Sequence, residues 1–338
     1  MFAIKLNPAF KRYAWGGDRL INEFNKGGGR APLAESWELS CHRDGECLIG
    51  ICSLSQLEPR WLGAPLKSYL DEHPEYIGEG FASADEFPVI VKFLDAGESL
   101  SVQLHPDDAY ALASEGQSGK NELLYILDCG EDAELLLGLK EPLRPEDLRE
   151  FAETGEIVSK LNRLQIESGQ SYAIPARTLH AIRTKTLALE IQQSSNVTYR
   201  VFDYKRESFG EQKRELHIDK ALECADLGAC SPKPAGAFVL SRLGAEIRRI
   251  SDWDCFFAYE VKSERKVGFK CEPDSFHAIT MLEGSAVFVH GEQIEELEKG
   301  DTIFIPAGLQ YYALSGKCSF VLVSCRRPEF DSPGEGEA

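Results

Sequence analysis

Two stretches of the sequence, GQSYAIPARTLHA (residues 169–181) and GDTIFIPAGLQYYA (residues 300–313), repeat one pattern at an offset of 131 residues. In each stretch a glycine is followed six residues later by Pro-Ala, and an apolar, strand-like segment lies between them. Eleven residues after the glycine, the first copy has His180 and the second has Tyr311. The repeat predicts two versions of one β-structure, of which only the first keeps the histidine.

Short apolar segments rich in β-branched and aromatic residues surround both copies. They include FPVIVKFL (87–94), LLYILDC (123–129), ELLLGL (134–139), LALEIQ (187–192), HAITML (277–282) and AVFVHG (286–291). Glycine and polar residues separate these segments, a pattern typical of many short antiparallel strands. The sequence therefore predicts a mainly β protein, built as a sandwich or a barrel.

Helices are predicted as additions to this β-structure. The segments with helical patterns are residues 57–83, 145–162 and 214–226. The third is followed by CSPKPAG (230–236), a proline- and glycine-rich stretch that predicts a domain boundary. We expect one domain over residues 1–229 and a second over residues 237–326. The remaining residues, 327–338, have the polar, glycine-rich composition of a flexible tail.

Composition limits the possible classes of function. The formal net charge is −18, with 37 basic against 55 acidic residues, which argues against binding of nucleic acid or of an anionic membrane. No apolar run approaches the ~20 residues that a membrane span needs, and the first residues lack the layout of a signal peptide. Ten cysteines are scattered without a C-x-x-C pair. This usage predicts reduced, mostly buried thiols in a cytoplasmic protein.

Four residues of the first predicted domain form a candidate metal site. In the segment LSVQLHPDD, Ser101, Gln103 and His105 alternate, so on a strand they would share one face. Polar side chains that face a barrel interior need a partner, and a bound ion supplies one. Glu122 and His180 each open a further apolar strand. The two imidazoles and two oxygen donors of Gln103, His105, Glu122 and His180 suit zinc, with Fe(II) or Mn(II) as competitors.

The same region resembles a known enzyme family in several separate blocks. The blocks are AWGGDRL (14–20), ESWELS (35–40), VKFLDAGESLSVQLHPDDAYA (91–111), GKNELLYILD (119–128), IPARTLHAI (174–182) and ALEIQQSSNVTYRVFDYKR (188–206). In this order they resemble the type I mannose-6-phosphate isomerases, or phosphomannose isomerases, of the short bacterial form. The resemblance runs from about residue 5 to residue 226 and continues weakly through the second domain.

This resemblance implies a fold, a cofactor and a reaction. The implied fold is a tandem of cupin barrels, also called double-stranded β-helices or jelly rolls, with a few added helices. The implied cofactor is one zinc ion per chain on the four ligands already named. The implied reaction is an aldose–ketose isomerisation between D-mannose 6-phosphate and D-fructose 6-phosphate, carried out through an enediolate. We expect a monomer or a homodimer whose partner is a small sugar phosphate.

The resemblance also implies residues that bind the substrate and carry out the chemistry. The residues implied for the substrate phosphate are Ser101, Lys92 and Lys120. The residues implied for catalysis are Arg200, Glu190, Lys120 and Asn196, and Glu190 is the first candidate for the base. Asn196 stands where similar enzymes usually have aspartate, and an amide can hydrogen-bond but cannot carry the proton. Arg177 stands where cupins prefer glycine, so we expect a backbone cost there.

Other readings of the sequence stay open at this point. A cupin Fe(II) dioxygenase would prefer a histidine-rich ligand set, and Gln103 beside Lys120 and Arg200 argues against it. A sugar-phosphate-binding protein without turnover is favoured only by Asn196. Glucose 6-phosphate is a lesser possibility as the substrate. The second domain, with a lone His277, is interpreted as structural and metal-free.

Overall fold

A computed structural model describes residues 1–50, 57–81, 85, 87–204, 214–236, 238–242, 244–328 and 330. Strands make up 42% and helices 17%, so the prediction of a mainly β protein is confirmed. The predicted tail, residues 327–338, lies largely outside the described residues.

The strands lie along the whole chain. The earlier strands are β1 (Ile4–Asn7), β2 (Ala9–Lys11), β3 (Glu35–Leu39), β4 (Leu48–Ile49), β5 (Val89–Ala96), β6 (Val102–Leu104), β7 (Glu122–Cys129), β8 (Glu134–Leu139), β9 (Leu161–Gln165), β10 (Ser171–Ile174), β11 (His180–Ile182), β12 (Thr186–Gln193) and β13 (Tyr199–Phe202). The later strands are β14 (Phe238–Arg242), β15 (Ala245–Asp252), β16 (Phe257–Ser263), β17 (Lys266–Cys271), β18 (His277–His290), β19 (Gln293–Glu298), β20 (Thr302–Ile305), β21 (Gln310–Ser315) and β22 (Cys318–Ser324).

Helices are short and mostly interrupt the earlier strands. The α-helices are α1 (Arg19–Phe24), α2 (Leu66–Glu72), α3 (Asp108–Glu115), α4 (Pro145–Thr154), α5 (Ile157–Lys160) and α6 (Ile218–Cys224). Short 3₁₀ helices cover Gly27–Gly29, Pro59–Trp61 and Pro74–Tyr76. The segment 145–162 holds two helices because Gly155 adopts a φ of 86° and ends α4 with a left-handed residue. No helix in the described part of the chain is long and apolar enough to cross a membrane.

Contacts within the chain define two compact units. Unit 1 comprises Met1–Ala9, Trp37–Ile90 and Gly236–Ala338, and unit 2 comprises Phe10–Ser36 and Val91–Ala235. The last change of unit, at Gly236, coincides with the end of the proline- and glycine-rich stretch of the sequence. The assignment of residues 1–229 to a catalytic domain and of 237–326 to a second, metal-free barrel stays a prediction.

Two sheets form the framework of unit 2. One sheet has the strand order β10-β7-β12-β5-β3-β2, and the other has the order β13-β6-β11-β8-β9. Successive residues of β8 face opposite sides of the second sheet. Leu135 and Leu137 share a buried cluster with Leu124 of the first sheet, whereas Leu136 packs with Leu148 of α4. The second sheet is therefore buried on both faces, by the first sheet and by helices.

An eleven-stranded sheet forms the framework of unit 1. Its main path is β14-β15-β16-β22-β18-β20-β1-β4, and β17, β19 and β21 pair off this path. The long strand β18 pairs with β20 and β22 along one half and with β19 and β21 along the other. The strands enclose a cluster of buried side chains that includes Phe269, Phe288, Tyr312 and Phe320.

The internal repeat is present in the structure, but its last positions do not correspond as expected. Gly169 and Gly300 adopt φ angles of 85° and 88°. In the second copy, however, Tyr311 is 72% exposed, whereas Tyr312 is 3% exposed and faces the interior. The expected equivalence of Tyr311 with His180 is therefore wrong by one residue, because a shift of one position moves a strand residue to the other face.

The cysteines agree with the expected thiol chemistry. Nine cysteines lie in the described residues, and all nine are free. Six of them are buried, and Cys230 is exposed. Cys52 lies outside the described residues.

Candidate metal centre and active-site cavity

Three predicted ligands of unit 2 meet in one buried cluster. His105 follows β6, Glu122 begins β7 and His180 begins β11, so the cluster joins the two sheets. Their ligand atoms all lie within 4.8 Å of one another. His105 Nε2 is 3.3 Å from Glu122 Oε1, and His180 Nε2 is 3.5 Å from Glu122 Oε2. All three side chains are at most 2% exposed.

Both imidazoles present a bare nitrogen to this cluster. His105 Nδ1 lies 2.8 Å from the carbonyl oxygen of Val197, and His180 Nδ1 lies 2.9 Å from that of Thr178. A carbonyl oxygen only accepts hydrogen bonds, so each Nδ1 carries the proton and each Nε2 offers a lone pair. His105 Nε2 is buried without a hydrogen-bond partner among the described residues. Lone pairs that converge beside a carboxylate form a place suited to a cation.

Burial keeps the cluster in the protonation states that bind metal. Burial is the largest cause that lowers the pKa of His105, to about 4, and Lys120 adds to it. Burial likewise lowers the pKa of His180. Burial alone would raise the pKa of Glu122, but His105 and Lys120 outweigh it and hold that pKa well below its usual value. At neutral pH the cluster thus contains two neutral imidazoles and one carboxylate, which fit a divalent ion such as zinc.

Gln103, the fourth predicted ligand, lies between a ligand and a predicted catalytic residue. On β6 it is opposite His180 of β11 on one side and opposite Arg200 of β13 on the other. Directly opposed residues in a sheet project from the same face. The oxygen Oε1 of Gln103 accepts a hydrogen bond of 3.1 Å from Ser101 Oγ. This hydroxyl fixes the amide oxygen, which keeps a second lone pair.

A cavity of about 130 Å³ adjoins this row of residues in unit 2. The predicted site residues that line it are Lys92, Ser101, Gln103, Lys120, Glu190, Asn196 and Arg200. A water takes a share of about 30 Å³ in the liquid, so the cavity has room for about four waters or a small polar ligand. The structure thus brings every predicted site residue either to the cavity or to the cluster of His105, Glu122 and His180, which we call the metal-type cluster.

Lys92 lies between two carboxylates of the cavity wall. Its Nζ is 2.8 Å from Glu190 Oε1 and 3.9 Å from Glu35 Oε2, and all three side chains are largely buried. Burial alone would lower the pKa of Lys92, but Glu190 and Glu35 raise it above the usual range. Burial and the charge of Glu122 raise the pKa of Glu190, against the opposing effect of Lys92. A carboxylate of raised pKa is suited to proton transfer.

The other cations of the cavity differ in how far they are neutralised. Lys120 Nζ lies 2.9 Å from Glu122 Oε1, an ion pair without hydrogen-bond geometry. Arg214 donates to Asp203 through one edge of its guanidinium, from Nε at 2.8 Å and from Nη2. Arg200 Nε is buried and has no hydrogen-bond partner in the described parts of the chain. Burial and the nearby Arg214 lower the pKa of Arg200. Two neighbouring guanidiniums at one cavity favour an anionic ligand.

Several lining residues were not found from the sequence. Glu35, Arg214, Tyr13 and Trp15 also line the cavity. The blocks AWGGDRL and ESWELS were noted for the family resemblance, but nothing in their spacing indicated that their side chains reach the site. The first block needs glycine at position 17, because a Cβ there would collide with the Asp95 carboxylate.

Arg177 is close to the cluster but is not among the residues that line the cavity. It adopts a φ of 72°, so the expected backbone cost is real. Its N–H donates to the carbonyl oxygen of His105 at 2.6 Å, and its Nε donates to that of Cys224 at 2.8 Å. Arg177 therefore connects the backbone of a ligand residue to the end of α6.

Comparisons with known proteins agree with this architecture. The family model described as "Phosphomannose isomerase type I, catalytic domain" matches residues 3–135, and "Mannose-6-phosphate isomerase, cupin domain" matches residues 254–325. A Bacillus subtilis protein named as a probable mannose-6-phosphate isomerase is 35% identical over 94% of this chain and 97% of its own length. The mannose-6-phosphate isomerase of Streptococcus mutans is 32% identical, over 94% of this chain and 96% of its own.

A solved structure extends the likeness to three dimensions. The mannose 6-phosphate isomerase of Bacillus subtilis superposes with a TM-score of 0.87 at 31% identity, covering 96% of this chain and 99% of its own. Fold and cluster together define a cupin protein with a buried group of residues that could bind a metal ion. Within that class, the chain belongs to the type I mannose-6-phosphate isomerase family.

Proposed function

We propose that this protein is a mannose-6-phosphate isomerase that interconverts D-mannose 6-phosphate and D-fructose 6-phosphate. The observation that carries the proposal is the convergence of His105, Glu122 and His180 beside a cavity lined by cations. Relatives that match nearly the whole chain are named for this reaction. The free thiols are consistent with a cytoplasmic location, which we propose for the enzyme.

We propose zinc as the resident ion, one per chain. The ligands would be His105 Nε2, His180 Nε2, the carboxylate of Glu122 and the amide oxygen of Gln103, a set that zinc accepts. When bound, zinc would polarise a sugar oxygen and orient the open-chain substrate. The hydrogen bonds from each Nδ1 to a carbonyl oxygen support this assignment, because they hold both rings in the ligating tautomer.

Glu190 is our candidate for the base of the isomerisation. The reaction moves a proton between C2 and C1 of the sugar through an enediolate, so it needs a base near both carbons and cations near both oxygens. The raised pKa of Glu190 brings this carboxyl closer to the working pH. Lys92, at 2.8 Å, keeps the carboxylate oriented and in place. Asn196, which lines the same cavity, would contribute a hydrogen bond.

The substrate phosphate is proposed to bind to Ser101, Lys92 and Lys120, and the geometry supports two further residues. Each of the lysines already faces a carboxylate at 2.8–2.9 Å. Arg200 carries a charge that is less fully compensated, since its Nε has no hydrogen-bond partner among the described residues. Arg214 is paired with Asp203 but lines the same cavity beside Arg200, and guanidiniums bind phosphate oxygens through paired hydrogen bonds. We therefore propose that the two arginines are principal phosphate contacts.

The deciding experiment is a coupled assay of mannose 6-phosphate conversion with the protein as purified, after chelation and after addition of zinc. We expect activity to disappear with the chelator and to return with zinc. Glucose 6-phosphate serves as the control substrate for stereochemical selectivity. Folded, zinc-loaded protein that converts neither sugar would contradict the proposed reaction.

One observation favours a second candidate, a sugar-phosphate-binding protein without turnover. Asn196 lines the cavity where similar enzymes usually have aspartate. Calorimetric binding of mannose 6-phosphate by a zinc-loaded protein that shows no conversion would identify this function. In that case the variant Asn196→Asp should gain measurable turnover.

A further inference from the structure

Arg200 lies on an edge strand, and its backbone is held from outside the sheet. Strand β13 ends the order β13-β6-β11-β8-β9 and so has one unpaired side. On that side, the N–H of His217 donates to the carbonyl oxygen of Arg200 at 2.8 Å. In return, the N–H of Arg200 donates to His217 Nδ1 at 3.3 Å. One residue therefore satisfies both backbone groups of Arg200, one with its main chain and the other with its ring.

The ring of His217 can make this contact in only one tautomer. Because Nδ1 accepts a hydrogen bond, the proton of the neutral ring lies on Nε2. Nε2 lies 4.0 Å from Glu215 Oε2, a carboxylate that is 83% exposed. Burial is the largest cause that lowers the pKa of His217, and the charge of Arg200 adds to it. The ring is thus held in the neutral form that can accept from Arg200.

The surroundings of His217 fix the ring on the strand. It immediately precedes α6, whose residue Ala221 donates its N–H to the carbonyl oxygen of His217 at 2.9 Å. The ring lies 6.1 Å from that of Tyr199, whose hydroxyl donates to Glu115 at 2.6 Å. Lys220 of α6 donates to the same carboxylate at 2.7 Å. These contacts attach α6, α3 and β13 to one another around the segment that carries Arg200.

We propose that His217 is a positioning residue for the reaction, which sets the reach of the Arg200 side chain into the cavity by holding both of its backbone groups. The inference rests on the proposed function for its effect on turnover. Arg200 faces Gln103 across β13 and β6, so a shift of its backbone moves the guanidinium relative to the metal-type cluster. A misplacement of about 1 Å in such a site can cost on the order of 10²-fold in rate.

Two amide variants separate this role from a merely structural one. In His217→Asn, the side-chain oxygen can occupy the place of Nδ1 and accept from Arg200. In His217→Gln, the oxygen lies one bond further along, near the place of Nε2, and the acceptor is lost. Both variants are polar and of similar size, so a general packing role would affect them equally. We expect the Asn variant to keep kcat/KM within about 3-fold of wild type and the Gln variant to lose about 10-fold or more.

A second readout does not depend on the reaction. Hydrogen exchange of the Arg200 amide, followed by mass spectrometry of the peptide that contains it, should accelerate in the Gln variant and stay slow in the Asn variant. Equal activity and equal exchange in the two variants would overturn the proposal. If the wild-type enzyme converted no sugar phosphate while the exchange rates still differed, the proposed reaction would fall and the hold of His217 on Arg200 would stand.

Discussion

Both units contain buried histidines, but the partners of the histidine ring nitrogens differ between the two units. In unit 1, His277 Nδ1 lies 2.9 Å from the hydroxyl of Tyr312, which can donate to the ring or accept from it. In unit 2, the Nε2 atoms of His105 and His180 face a carboxylate, and none of these atoms can donate to another. Burial of a histidine does not by itself indicate a site. A site is indicated instead where the lone pairs of several hydrogen-bond acceptors converge and none of these groups can donate to another.

The difference extends to how each interior is filled. Around Tyr312 of unit 1, the ring of Phe288 lies 5.4 Å away and that of Phe269 lies 5.7 Å away. Such close aromatic packing around the His277–Tyr312 pair supplies stability. In unit 2, by contrast, a cavity is lined by charged groups such as Lys92 and Arg200. The aromatic packing in unit 1 stabilises the fold. The charged groups buried in unit 2 cost folding free energy, and we interpret them as groups that bind a ligand.

The largest expected effect comes from exchanging one histidine in each interior for the same residue. We expect His180→Asn to lose most of its bound metal and at least ~10³-fold in activity, because a catalytic ion supplies several kcal/mol of transition-state stabilisation. His277→Asn should keep its metal and its activity within a few-fold. Metal content by plasma mass spectrometry and kcat/KM by the coupled assay check both. Equal metal loss in the two variants would remove the distinction between the interiors.

The second prediction concerns the proposed base. Glu190→Gln should lower kcat by about 10²- to 10⁴-fold, the range for loss of a general base, while the zinc content stays near one per chain. The amide keeps the size of the side chain and a contact to Lys92. Near-normal turnover in the zinc-loaded variant would contradict the role of Glu190.

The third prediction uses two matched arginine–carboxylate pairs, one in each unit. Arg214 and Asp203 of unit 2 are 21% and 7% exposed, and Arg248 and Glu260 of unit 1 are 21% and 5% exposed. Both Arg→Lys changes should destabilise the protein to a similar extent. Only Arg214→Lys should also raise KM, by about 10-fold, since a charge-assisted hydrogen bond is worth about 1.5–3 kcal/mol. An equal KM for both variants would exclude Arg214 from the phosphate site.

The smallest expected effect is a change in the pH dependence of stability. Burial lowers the pKa of His277 to about 3, below the value of about 6.5 of an unfolded chain. Between these values the unfolded state binds a proton that the folded state does not, so the free energy of unfolding falls as pH falls. In metal-free protein, His277→Asn should reduce that slope by up to about 1.4 kcal/mol per pH unit near pH 5. Urea unfolding at pH 6.5, 5.5 and 4.5 measures the slope, and an unchanged slope would show that His277 does not titrate as its burial requires.

The metal-type cluster could be predicted from the sequence because its signal is local. Ser101, Gln103 and His105 alternate along the chain, and an extended strand turns that alternation into a shared face. Glu122 and His180 each stand at the beginning of an apolar strand. The mainly β fold followed from equally local patterns of short apolar segments.

The residues that escaped prediction reach the cavity through long-range folding. Tertiary structure brings Glu35 and Arg214 to the same cavity as Lys92 and Arg200, and no spacing in the sequence connects them. The misplaced Tyr311 has another cause, because the sequence cannot show that the second copy begins β21 at Gln310 and so shifts the alternation by one. Contacts likewise place residues 1–9 and 37–90 with the C-terminal sequence, although nothing in their composition sets them apart.

The pairing of β1 has a consequence for how the chain can be made and divided. In unit 1, Ile4 is opposite Phe304 of β20, and the side chain of Gln293 binds both the N–H and the carbonyl oxygen of Ala3. β1 also pairs with β4, which follows it closely in the sequence, but a ribosome must synthesise almost the entire chain before β1 can pair with β20, and contacts so distant in sequence close slowly. A fragment that begins at the interdomain stretch would leave β20 with an open edge, where strands of other chains can pair. β1 thus covers the edge of β20 and protects it from pairing with other chains, and this protection forms only late in synthesis.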